Sequence, residues 1–155
     1  MEYNFTFDEP ATGLLSPESV HFFYYTVAKK ELENETAVYE WDKEIGSYLT
    51  NQDLCVRTCP IEDLPSEFGN SELLFEKIEI ENEAEAFIRH LRNAFAHYHI
   101  GEYGDYYKMV DFNNLKQRTM IGKIKIEHLK QLCYLLLKQG EIFNVNRGIV
   151  NFEEL

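Results

Sequence analysis

One short stretch of the chain is dense in side chains that can do chemistry. Arg89-His90-Leu91-Arg92-Asn93-Ala94-Phe95-Ala96-His97-Tyr98-His99 holds two arginines, three histidines and an asparagine. A histidine, with an ordinary pKa of about 6.5, can take or give a proton near neutrality. An arginine offers forked donors to phosphoryl oxygens that gain negative charge. An asparagine can orient a phosphate or an imidazole ring. Together these groups suit cleavage of RNA, in which the ribose 2′-OH attacks the adjacent phosphorus once its proton is removed. The nucleophile lies within the substrate, so this chemistry asks for no metal and no cofactor. DNA lacks that hydroxyl and would be left uncut.

The element that must position these groups reads as a helix over Glu81–Ile100. Glu81, Glu83 and Glu85 fall in its first turns, where the helix dipole favours acids. Phe87, Ile88, Leu91, Ala94, Phe95 and Tyr98 recur as one apolar face, and Gly101 and Gly104 follow as a stop. At about 100° per residue, Asn93 and His97 share a stripe and His90 lies close to it. Arg92 projects roughly 140° from His97. Its side chain can curl back, or it can reach a second copy of the helix. A two-fold dimer packing this helix against itself would gather both copies of Arg92, Asn93 and His97 in one cleft.

The sequence LRNAFAHYHI resembles the Arg-polar-x3-His signature of HEPN domains, in the variant with Asn directly after Arg and four residues before His. The downstream YYKMVDFNNLKQRTMIGKIKIEHLKQL is similar to a prokaryotic HEPN subfamily, found partly on plasmids, in which a hairpin and a closing helix follow the motif helix. The likeness covers roughly residues 71–138, and residues 1–70 match only as helices of suitable number and length. What it implies is a mainly α fold: an antiparallel helical bundle with a small β-hairpin after the motif helix. It also implies a homodimer with the motif helix at the interface and a metal-independent endoribonuclease, serving as a toxin or in phage defence. An antitoxin protein would then be a further partner. By motif position Arg92 and His97 are the expected catalytic residues and Asn93 the supporting one. The alternative is an inactive HEPN module that binds nucleotide, RNA or a protein, because some members of the family do not cut.

Other residues near the motif carry two readings. Arg89 and His90 can assist substrate binding, or can be surface residues beside the site. His99 can be a second acid or base, or a polar residue favoured by the helix C-terminus. Cys55 and Cys59 form a C-x3-C spacing with no second pair to complete a zinc site. Cys133 sits in a leucine stripe and reads as core. His21 and His128 stand alone on helices and receive no role. The run Phe22-Phe23-Tyr24-Tyr25 reads as core and interface, because a helix cannot turn four consecutive residues toward one ligand.

The remainder reads as one domain over residues 1–155, with an extended lead-in at 1–15 and a tail at 140–155. A helix is expected from Pro17 to about Leu32 and a second over Glu35–Leu49, followed by a connecting loop over 51–70. Ser71–Ile80 reads as a short strand or the approach to a helix. Tyr106–Phe112 and Arg118–Ile126 alternate in strand fashion around a turn at Asn113-Asn114, and a last helix spans Glu127–Gln139. Hydrophobic residues make up 45% and charged residues 27%, a globular balance. No run reaches the roughly 20 apolar residues of a membrane helix, and the acidic start lacks a signal-peptide pattern; a cytoplasmic protein with reduced thiols is expected. The net charge is −12. Residues 1–86 carry 5 Lys+Arg against 20 Asp+Glu, while residues 87–155 carry 10 against 7. That balance argues against a protein that coats nucleic acid at large, but not against one that grips a few phosphates locally.

Overall fold

The computed structural model describes residues 15–33 and 39–145, with side chains given at 15–26 and 39–139. Residues 1–14 of the lead-in expected at 1–15, the start of the expected second helix at 35–38 and the tail beyond 145 lie outside the described residues.

The fold is mixed α/β, and this corrects the expected mainly α bundle. Helices α1 (Pro17–Glu33), α2 (Lys43–Asn51), α3 (Glu83–Ala96) and α4 (Ile126–Val145) accompany strands β1 (Cys55–Thr58), β2 (Glu72–Phe75), β3 (Ile100–Tyr103), β4 (Tyr106–Phe112) and β5 (Arg118–Lys125). The strands form one five-stranded sheet in the order β1-β2-β5-β4-β3. β1 and β2 run parallel and every other neighbour is antiparallel.

The expected hairpin is present as β4–β5, but it is the centre of a larger sheet. Within Ser71–Ile80 the strand alternative holds, as β2, while β1 and β3 escape the sequence pattern. β1 and β3 are four residues each, too short to display a period. β1 and a single 3-10 turn at Ile61–Asp63 occupy the expected 51–70 loop. Gly101, read as a helix stop, lies inside β3 opposite Lys108 of β4. α2 begins only at Lys43, where the Asp42 side chain accepts from Ile45 N, and residues 39–42 are not helical. α4 continues to Val145, through the start of the expected tail.

Alternation along the strands splits the sheet into two faces. Leu73, Phe75, Tyr107, Met109, Met120 and Ile124 point to the helices and join Phe23, Phe87, Leu91, Leu129 and Leu136 in the buried core. Phe23 packs on Phe95 and Tyr107, with ring centroids 5.7 and 5.0 Å apart, which joins α1 to both α3 and the sheet. Ser19 Oγ and Tyr107 OH share a 2.6 Å hydrogen bond between the same two layers. Burial pushes the Tyr107 hydroxyl up to about 12, so it stays protonated. No helix among the described residues is long and apolar enough to cross a membrane.

Candidate functional site

α3 is fixed at its start by a capping box. Asn82 Oδ1 accepts from Glu85 N at 2.8 Å, and Glu85 Oε1 accepts from Asn82 N at 2.9 Å. The Asn82 amide also donates to Tyr39 O at 2.9 Å, tying the helix start to the segment before α2. Ala84, Ala86, Phe87, Ile88, Leu91 and Ala94 are buried on one side. The same buried side carries His90, which is 0% exposed.

His90 is held from both ring nitrogens. Nδ1 lies 2.7 Å from Asp111 Oδ2 and Nε2 lies 2.8 Å from Glu76 O. Asp111 is itself 2% exposed. It sits on β4 in the same inward register as Tyr107 and Met109. Its other oxygen, Oδ1, accepts from Phe112 N at 2.9 Å, and the Asn93 amide donates to Oδ2 at 3.4 Å. One buried carboxylate therefore reaches both His90 and Asn93, one turn apart on α3. Sequence reasoning missed Asp111. The available signal was an acid in line with the inward-facing Tyr107 and Met109 of β4.

Arg89 is occupied by acids of the preceding loop. Its Nε and Nη2 donate to Glu81 at 2.6–3.2 Å, and Nη2 also meets Glu76 Oε1 at 3.2 Å. Burial alone would raise the Glu81 carboxyl, but the Arg89 fork and the Ile78 N–H hold it below its ordinary value. Burial would likewise lower Arg89, and Glu81 and Glu76 raise it instead. Arg92, one turn further along, lines an open cleft of about 260 Å³ with Ile80, Glu81, Glu85 and Arg89. Ile80 at the rim of this cleft is 91% exposed.

The helix ends at Ala96, four residues earlier than its periodicity suggests. His97 is the C-cap and is exposed. Tyr98 N donates to Phe95 O at 3.2 Å, and His99 N donates to Ala94 O at 2.8 Å. This is a Schellman turn, whose C′ position is left-handed and usually glycine. Here it is Tyr98, at φ 61° and 82% exposed, so this ring is not part of the apolar face. The turn throws the chain back along the sheet into β3. The His97 and His99 rings then lie 6.0 Å apart, and the His99 ring meets Phe112 edge-on at 5.3 Å. Burial and the neighbouring His97 hold His99 below its ordinary pKa, with Asp111 opposing.

The six expected site residues thus fall into three settings on one helix and its exit. His90 and Asn93 face Asp111 inside. Arg89 and Arg92 line the acidic-walled cleft. His97 and His99 stand at the C-terminal turn. No group of His, Cys, Asp and Glu among the described residues is arranged to hold a metal ion. In a comparison with known families, residues 21–140 match the family model described as HEPN pEK499 p136. No curated protein and no solved structure matches.

Proposed function

The chain belongs to the HEPN pEK499 p136 family, and on that footing we propose that it is a metal-independent endoribonuclease acting as a toxin or phage-defence component. The observation that carries this reading is the setting of His97. It is exposed at the C-cap of α3, with Asn93, one turn before it, donating to Asp111 and the Schellman turn closing the helix behind it. An exposed imidazole on a rigid support is what proton transfer to and from a 2′-OH requires. In this reading His97 is the acid/base, Arg92 stabilises the phosphoryl charge, and Asn93, steadied by Asp111, positions the phosphate. Four residues lie between Arg92 and His97, which project roughly 140° apart, so a homodimer joined through α3 would complete each site with groups of both copies. The exposed Ile80 and Tyr98 at the two ends of α3 support that pairing. An antitoxin protein is a further candidate partner.

Gel cleavage of structured and single-stranded RNA in EDTA tests this, with His97→Ala beside the native protein. Cutting by the native protein alone supports the reading. Equal cutting by His97→Ala removes His97 from it. A second reading, an inactive module that binds nucleotide, RNA or a protein, is favoured by one observation: Glu81 and Glu85 wall the cleft that Arg92 lines, and both disfavour an incoming phosphate. Absence of cutting by either protein would favour that module.

A further inference from the structure

The sheet face turned away from the helices has a chemistry unlike the rest of the chain. Residues 100–125 carry five Lys+Arg against three Asp+Glu, in a protein of net charge −12. Residues paired directly across neighbouring strands point to the same face. Lys108 of β4 is paired with Lys123 of β5, and Tyr106 of β4 with Lys125 of β5. Two lysines directly opposite one another are unfavourable unless an anion or an aromatic ring offsets their repulsion. Rings are present: Lys123 Nζ lies 4.9 Å from the Tyr106 centroid, and Lys108 Nζ lies 4.5 Å from Tyr103 and 5.4 Å from Phe68. Acids are also present at the margin, with Glu72 paired to Lys123 on the β2 side and Asp105 beside Lys125.

Toward the motif this face is covered, since Val110, between Lys108 and Phe112 on β4, and its β5 partner Ile121 are both buried. Beyond that covered pair the register shifts between Asp111 and Phe112, and the Phe112 ring meets His99, whose ring lies 6.0 Å from that of His97. We infer that the open end of the outer face of β3–β5 is a binding track for single-stranded RNA, with Lys108, Lys123 and Lys125 on its phosphates and Tyr103 and Tyr106 against its bases. Paired lysines of one sign fit a polyanion. Alternating rings and ammonium groups favour unpaired bases over a duplex, because only unpaired bases expose stacking faces. The track goes beyond the nuclease reading, since it binds whether or not His97 cuts.

The test uses the full chain carrying His97→Ala, so that RNA stays intact, and a fluorescein-labelled oligouridylate of about 12 nucleotides. Anisotropy titrations over a range of salt give affinity and salt slope. Adding Lys123→Gln with Lys125→Gln is expected to weaken binding about tenfold and to flatten the log–log salt slope by about 0.7 per lysine removed. Lys123→Arg, which keeps the charge and the ring contact, should bind as the parent does; Lys43→Gln at the start of α2 should also. Unchanged affinity and slope in the double variant overturns the track, as does failure of the parent to bind RNA at low salt. Equal or tighter binding of a poly-glutamate probe overturns it in favour of an acidic protein partner. Lysine-dependent binding without cleavage by the native protein keeps the track and discards the nuclease. Cleavage with lysine-independent binding does the reverse.

Discussion

His90 Nδ1 and Asp111 Oδ2 lie 2.7 Å apart, and both side chains are buried. The pair joins the motif helix to the central hairpin of the sheet, so the support of the site is polar at the point where the core would otherwise be apolar. A buried donor left without its acceptor costs more than the bond itself contributes. Asp111→Ala strands His90 Nδ1 and frees the Asn93 amide. Its expected cost is about 3 kcal/mol of folding stability. Urea unfolding followed by circular dichroism measures this. A loss below about 1 kcal/mol would mean that the pair contributes little to holding α3 in place.

Much of this support was legible in the residues, and the reasons for the rest are specific. α3 announces itself because Asn82 and Glu85 form a capping box and its apolar residues keep helical spacing over four turns. The β4–β5 hairpin is legible because seven and eight residues suffice to show alternation. β1 and β3 offer four residues each and no period. The mainly α expectation failed through those short strands, since each added strand turned a lone hairpin into a sheet layer. The end of α3 was misplaced because its left-handed residue is Tyr98, and glycine is the usual signal for that turn. Asp111 went unseen because inward-facing acids are rare on strands, and pairing with His90 needs the tertiary structure.

Tyr98 itself supports a prediction. A bulky residue at φ 61° costs about 1–2 kcal/mol over one with free access to that region. Its ring is 82% exposed, so its removal forfeits little burial. Tyr98→Gly relieves the strain and adds roughly 0.5–1 kcal/mol of unfolded-chain entropy. The expected net effect is a stabilisation of up to about 1 kcal/mol, read as a higher urea midpoint at unchanged slope. A lower midpoint would show that the exposed ring makes contacts, such as those of a dimer, that outweigh its backbone strain.

His99 sets a pH window. Burial first, and then the charge of His97, keep its folded-state pKa below the ordinary 6.5. Above 6.5 the ring is neutral in both states and the fold loses nothing. As pH falls through 6.5, the unfolded chain takes up the proton and the folded chain resists it, so stability declines. Glu81 and Glu102, held below their ordinary 4.5, add their own losses only in more acid solution. His99→Phe keeps a ring against Phe112 and removes the titration. Between pH 7 and about 5 its stability should fall less steeply than that of the native protein. Parallel declines in urea titrations across that range would exclude His99 as the source.

Gly122 tests the packing of β5 against β2. It lies opposite Leu73, and a Cβ at this position would come within 2.7 Å of Glu72 O and 2.8 Å of Leu73 Cα. Both are backbone atoms and cannot rotate away. In an ordinary strand, replacing glycine with alanine gains roughly 0.5–1 kcal/mol by restricting the unfolded chain. Here the sign should reverse, because β2 must shift to admit the methyl. Overpacking of this kind costs about 1–3 kcal/mol. The shift would also move Phe75, two residues beyond Leu73, against Phe87 and His90, whose rings lie 5.9 Å from it. Gly122→Ala should therefore lower the urea midpoint and weaken the support beneath the motif helix. A neutral or stabilising result would mean that the two strands stand further apart than this register requires.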